Sequence, residues 1–182
     1  MILFCGLGNK GPAYKNTRHN VGYLVLDMFS EKYGINFSRK VAGCIVGEGE
    51  NVLLAKPDTF MNLSGQPVAS LMKKRNIGAG NVVVIHDDLD MIFGRIKIRR
   101  DGGDGGHKGV RSIAECLHTK DFYRLKIGIG RDPVSPPEEY VLSRFRFDEN
   151  ETLRFALAKS VDALHVFLTE GIDQAMNLFN RQ

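Results

Sequence analysis

The chain has 182 residues, 43% of them hydrophobic and 25% charged, with a formal net charge of +4. That mix excludes a disordered tail, a collagen-like repeat or a fibre, and the length is that of one domain with a real core. Its apolar runs, such as Val82-Val83-Val84-Ile85, are far too short to cross a bilayer. Met1 leads straight into Ile2-Leu3-Phe4-Cys5 with no basic segment and no cleavage site, so no signal peptide is expected. Cys5, Cys44 and Cys116 are odd in number, widely spaced and set in apolar surroundings. They argue against a disulfide framework or zinc knuckle and for a reducing cytoplasm. The modest positive excess points to a polyanionic partner.

Strand and helix patterns alternate, which predicts a single α/β domain over 1–182. Ile2–Gly6 reads as a short buried strand. Val21, Leu24, Val25, Met28 and Phe29 recur at helical spacing, with Gly34 as the stop. Lys40–Gly47 and Val52–Pro57 read as two strands of a hairpin joined through Glu48–Asn51. Ser64 is placed as the N-cap of a second helix carrying Val68, Leu71 and Met72 and ending near Gly78. Val82–His86 is a β-branched strand with carboxylates immediately after it. Arg95–Arg100 alternates cations with isoleucines, as a strand with one buried face does. Asp101–Gly106 is nearly all glycine and aspartate, and a helix follows from His107 or Lys108 to Leu117. Leu125, Ile127 and Ile129 mark another strand, followed by a proline-bearing loop, Arg131–Pro137. A long helix runs from Asp148 to about Glu170, and a shorter one follows Gly171. The expected architecture is a mixed central sheet, parallel in its core and antiparallel at an edge, flanked by helices on both faces.

In open α/β sheets, ligands bind outside the carboxyl ends of the strands, and here those loops are the polar ones. Gly6, Gly8 and Gly11 match a dinucleotide fingerprint, but Pro12 follows and the helix starts only near Asn20. A tight turn is the better reading. His19 stands at a loop-to-helix junction among polar neighbours, where an imidazole can act as general base. By strand alternation His86 and Asp87 point to opposite sides, so one alone faces the cleft and His86 is structural. Asp87, Asp88 and Asp90 have the oxygen chemistry of a metal site but no common direction. A single aspartate orienting His19 needs fewer coincidences. Cys5 lies in a buried strand and Ser64 is used as a cap, so no side-chain nucleophile is available and water is the attacker. The Asp101–Gly106 loop is either an anion cradle or an acidic hairpin end, and both readings stand. Arg95, Lys97 and Arg99 share one strand face, with Arg111, Lys120, Arg124 and Lys126 near in sequence. Such a stripe suits backbone phosphates.

Several segments in order carry a resemblance: Gly6-Leu7-Gly8-Asn9, Thr17-Arg18-His19-Asn20, Thr59-Phe60-Met61-Asn62, His86-Asp87-Asp88-Leu89-Asp90, Gly105-Gly106-His107 and Arg124-Leu125-Lys126. Together they make the chain resemble the bacterial-type peptidyl-tRNA hydrolases over nearly its whole length. The resemblance implies hydrolysis of the ester joining a peptide to the 3′ end of a tRNA, without cofactor or metal, by a monomer. It implies His19 as general base, Asp87 as the carboxylate holding it, and Asn9 and Asn62 as amides that position the substrate or water. It further implies Met61 as an apolar contact near the scissile end, His107 as a second imidazole and Tyr14 as an aromatic against the terminal nucleotide. Arg99 and Lys126 fall where the family grips an acceptor-stem phosphate. One position departs: the family carries Asn after Gly-Gly-His, and here it is Lys108. A lysine donates but cannot accept, so at this substrate-binding position altered peptide binding or lower turnover is expected.

Overall fold

The β-branched and leucine runs of the chain pair into one seven-stranded sheet. In this computed structural model, which describes residues 1–181, the strands are β1 (Ile2–Gly6), β2 (Phe37–Val41), β3 (Cys44–Glu48), β4 (Val52–Pro57), β5 (Val82–Asp88), β6 (Ile96–Arg100) and β7 (Tyr123–Gly128). Their spatial order is β2-β3-β4-β1-β5-β7-β6. The central strands β4, β1, β5 and β7 are parallel, while β2, β3 and β6 run antiparallel to their neighbours. The expected mixed, single-domain α/β sheet is therefore found, with antiparallel pairing at both edges rather than one.

Central strands are buried on both faces, so alternate side chains feed two cores. Phe4, Ile85, Ile98 and Leu125 pack with α1 (Val21–Tyr33) and, near the C-terminus, α5 (Asn150–Glu170) and α6 (Ile172–Phe179). Leu3, Cys5, Val84 and Phe122 pack on the other face with α2 (Gly65–Arg75) and α3 (Lys108–Leu117). Burial pushes the Cys5 thiol up, with Cys44 adding to it, and pushes Cys44 up to about 12. Neither is a thiolate nucleophile at neutral pH.

Several boundaries differ from expectation, each for a local reason. The stretch Lys40–Gly47 is not one strand: Ala42 and Gly43 take positive φ and turn the chain between β2 and β3. Ser64 stands just before α2 but caps nothing. Its hydroxyl donates to the Met61 carbonyl at 2.8 Å, and the Gly65 N–H, the first of the helix, donates to Ser112 Oγ at 2.9 Å. Strand β5 continues two residues beyond His86 because β7 pairs with it as far as Asp88. Arg95 precedes β6 rather than joining its face, and it adds to the burial that lowers the pKa of Lys159 on α5. The segment after Arg131 is not all loop, since α4 (Pro137–Leu142) forms within it. A 3-10 turn, Phe147–Glu149, precedes α5.

Gly6 and Gly22 let β1 and α1 touch: a Cβ on Gly6 would lie 2.4 Å from the Gly22 carbonyl oxygen, and one on Gly22 2.3 Å from that of Ile85. The first glycine of the apparent fingerprint thus serves strand–helix packing. This close approach sets the start of α1, and His19 just before it, over the carboxyl ends of β1 and β5.

Candidate active site

Asp87, 3% exposed near the end of β5, is the centre of a three-residue cluster. His19, in the 3-10 turn Arg18–Asn20, presents Nδ1 to both carboxylate oxygens, at 2.9 Å from Oδ1 and 3.0 Å from Oδ2. His107 places Nε2 2.9 Å from the same Oδ1. The tautomer of His107 follows from its other edge. Its Nδ1 accepts from the Gly109 and Val110 N–H groups, at 3.2 and 3.3 Å, as the N-cap of α3. Nδ1 is then a bare acceptor and Nε2 carries the proton that Asp87 receives. A carboxylate has no proton to give, so the His19 hydrogen also sits on Nδ1, and the lone pair of Nε2 is left on the opposite edge. Burial pushes the Asp87 carboxyl up, but the charges and hydrogen bonds of His19 and His107 outweigh it and hold the group well below the usual carboxylate range.

Asn9 is held as firmly. Its N–H donates to Asn20 Oδ1 and its carbonyl accepts from Asn20 Nδ2, both at 2.9 Å. The Met61 N–H donates to Asn9 Oδ1 at 2.7 Å. With that oxygen occupied, the Asn9 amide offers its Nδ2 as a donor. Asn9, His19, Asp87 and His107 line a cleft of about 620 Å³ together with Met61, Asn62, Lys108 and the α4 residues Val141 and Leu142. The lining mixes amides, imidazoles and carboxylates with the apolar Leu89, Val141 and Leu142, which suits a peptide ester better than a purely ionic ligand.

Of the sequence-predicted site residues, Asn9, His19, Met61, Asn62, Asp87, His107 and Lys108 meet at this cleft. Tyr14, Arg99 and Lys126 do not line it. Tyr14 packs edge-on against Phe60, with ring centroids 6.4 Å apart. Arg99 is exposed on β6, and Lys126 Nζ lies 2.9 Å from Asp88 Oδ2. The register of β6 and β7 sets Lys97 opposite Lys126 and Arg99 opposite Arg124, so the cation stripe spans two strands. Asp88 pairs with Lys126 and Asp90 with Arg131, so the three aspartates diverge.

His86 corrects the alternation argument. It lines the cleft alongside Asp87, because the cleft lies across the strand end rather than on one sheet face. Its Nδ1–H donates to the Asp87 carbonyl at 2.7 Å, and its ring stands edge-on to His107 at 4.7 Å. Burial, then the neighbouring His107, pushes its pKa well below the ordinary value. The native ring is thus neutral, whereas the unfolded chain takes up a proton below about pH 6.5. Between the folded and unfolded values, stability falls as pH falls, by up to about 1.4 kcal/mol per pH unit from this group. His86→Asn is expected to flatten that part of the dependence when denaturant midpoints are compared at pH 6.5 and 5.5.

Sequence reasoning missed Asn20, which locks Asn9, and Arg18. The Arg18 guanidinium lies between the rings of Tyr140 and Phe145, at 4.4 and 4.9 Å, and Nη2 pairs with Glu149 at 2.7 Å. It ties the His19 turn to the α4 segment. Pro136-Pro137-Glu138-Glu139, a proline at a helix start with acids in the first turn, was the available signal for α4.

His19, Asp87 and His107 also present ligand atoms within 4.8 Å of one another, the donor set of a transition-metal site. Both nitrogens that face Asp87 already carry hydrogens donated to it, so a metal there would have to displace those protons and break both hydrogen bonds.

A family profile described as peptidyl-tRNA hydrolase matches residues 3–182. The peptidyl-tRNA hydrolase of Thermodesulfovibrio yellowstonii is 42% identical over 186 aligned residues that cover the whole of both chains. That of Carboxydothermus hydrogenoformans is 44% identical, covering all of this chain and 99% of the relative. The crystal structure of peptidyl-tRNA hydrolase from Acinetobacter baumannii matches with a TM-score of 0.92 at 34% identity, covering 100% of this chain and 95% of that one. Profile, relatives and fold agree along the full length, and the chain belongs to the peptidyl-tRNA hydrolase family.

Proposed function

We propose that the cleft hydrolyses the ester between peptide and tRNA by a water that His19 activates. The observation that carries this reading is the shared Asp87 carboxylate: with both ring hydrogens donated inward, Nε2 of His19 is the free base at the cleft. His19 takes a proton from water as it attacks the ester carbonyl, and Asp87 stabilises the imidazolium that forms. Asn9 Nδ2, its orientation set by Met61 and Asn20, donates to the oxygen where negative charge develops, and Asn62 provides a second amide. His107 keeps Asp87 in place, and Met61 packs against the scissile end. Tyr14 meets the terminal nucleotide, while Arg99 and Lys126 bind an acceptor-stem phosphate, Lys126 exchanging its partner Asp88 for it. The enzyme acts as a cytoplasmic monomer; among the described residues no helix is long and apolar enough to cross a membrane.

Incubation with N-acetylaminoacyl-tRNA tests the assignment. Release of free tRNA that is indifferent to a chelator is expected. Release abolished by the chelator would favour a metal site at His19, Asp87 and His107, and binding without release would make the protein an RNA-binding relative.

Lys108 stands at the first position of α3, exposed and on the cleft. A cation there is repelled by the positive end of the helix dipole, so the helix itself does not hold the ammonium. Lys108→Asn is expected to change KM or kcat for N-acetylaminoacyl-tRNA by about 2- to 10-fold, the range of one exchanged hydrogen bond. Unchanged kinetics would show that position 108 is not used.

A further inference from the structure

A second cavity, of about 560 Å³, opens between the C-terminal end of α3 and the loop 101–106, and its lining includes Arg111, His118, Lys120 and Arg124. We propose that it is a phosphate-binding subsite that takes one backbone phosphate of the substrate's RNA, with Arg124 as its floor and Lys120 and His118 at its rim. The inference rests on the reading of the protein as acting on peptidyl-tRNA.

Arg124 carries the argument. It is 1% exposed on β7, and its Nη2 donates to the carbonyls of Gly102 at 3.0 Å and Lys120 at 3.5 Å. Its Nε and Nη1 have no hydrogen-bond partner in the protein. Among the described residues no carboxylate pairs with it. Asp101 and Asp104 favour its charge only from a distance, and the larger effect, burial, pulls its pKa down. Asp104 is itself engaged by Arg111 Nε at 3.2 Å and by the Gly106 N–H at 2.7 Å. A buried guanidinium with no paired anion is costly, and an anion entering the cavity would remove that cost. Gly102 leaves the approach open: a Cβ there would stand 3.6 Å from Nη1.

The position fits a continuation of the RNA contact. Arg124 lies directly across from Arg99 in the β6–β7 pair, and paired residues share a sheet face, so it extends the cation stripe inward. Asp104 lines both this cavity and the catalytic cleft, so the two are neighbours on either side of one loop. Glu115 and Asp104 also stand in the lining, which limits the cavity to a single phosphate rather than a long anionic track.

The test uses arginine-labelled full-length protein and inorganic phosphate, followed by the Arg124 Nε–H resonance. A saturable shift is expected, reproduced by deacylated tRNA. The paired change Lys120→Gln with His118→Asn removes the exposed rim and leaves the core untouched. It should raise KM for N-acetylaminoacyl-tRNA roughly 3- to 10-fold with kcat unchanged and reduce the salt slope of tRNA binding by about one. A resonance unmoved by phosphate would overturn the subsite. A resonance moved by phosphate, with tRNA, KM and salt slope showing no effect, would leave a site for free phosphate and overturn the RNA assignment. Failure of the wild-type protein to hydrolyse its substrate would instead strike the reading of the cleft.

Discussion

His19→Ala is expected to bind tRNA as the unchanged protein does and to lose about 10²–10⁴ in kcat, the contribution of a positioned general base. The two effects separate because His19 is only partly exposed, at the cleft, while Arg99 and Lys126, the cations proposed to bind phosphate, stand apart from it on β6 and β7. Truncation removes the base without touching the electrostatic grip that dominates RNA affinity. Filter binding of deacylated tRNA and single-turnover hydrolysis on the same preparation measure both. Retention of full turnover would remove His19 from the mechanism. Parallel loss of binding and turnover would make it a structural or substrate-binding residue instead.

Asp87→Asn is expected to cost about 10⁴ in kcat, the upper end of the His19→Ala range, by analogy with the same change in a histidine–aspartate pair. The amide keeps the shape but has one acceptor oxygen and one donor face. Oδ1 now receives His19 Nδ1 and His107 Nε2 together, while Oδ2 receives only His19. An NH₂ in place of Oδ2 would face Nδ1 of His19 and drive its proton to Nε2, so the base would point a hydrogen at the water. The same carboxylate gives the fold an acid limit. Because its folded pKa is depressed, its stabilisation is fully present above the unfolded value of about 3.9 and is lost as pH falls through the folded one. Asp87→Asn should therefore lower stability at neutral pH and weaken the loss on acidification. Denaturant titrations at pH 7 and pH 3.5 read both. A variant with normal turnover would show that Asp87 does not set the tautomer.

Much of the fold was legible because strand and helix periods differ and few segments are ambiguous. Ile2–Gly6 and Val52–Pro57 match their strands residue for residue, and Gly34 ends α1 in the left-handed conformation expected of it. The misreadings arise where local chemistry was overruled by a distant partner. Ser64 has a capping residue's side chain, yet its hydroxyl turns back to the Met61 carbonyl, and the first N–H of α2 is taken by Ser112, far along the chain. Ala42 turns the chain at a positive φ that its side chain does not advertise. At the site, residue types and loop positions pointed to His19 and a single aspartate after β5, the family resemblance singled out Asp87, and the cleft brings the two into contact. The sharing of Asp87 by two rings was not legible. It depends on His107 reaching across from the start of α3, and no spacing along the chain encodes that distance. Asn20 was invisible for the same reason: its partner Asn9 belongs to another loop, and only the reciprocal pair of hydrogen bonds shows what it does.

The central claim is that Asp87 holds His19 with its proton on Nδ1 and leaves Nε2 as the base. Nitrogen-15 spectra of histidine-labelled protein at a pH where the ring is neutral test this directly. The account predicts a protonated Nδ1 and a bare Nε2 for His19, the reverse arrangement for His107, and inversion of His19 in Asp87→Asn. A neutral His19 carrying its hydrogen on Nε2 in the unchanged protein would contradict it.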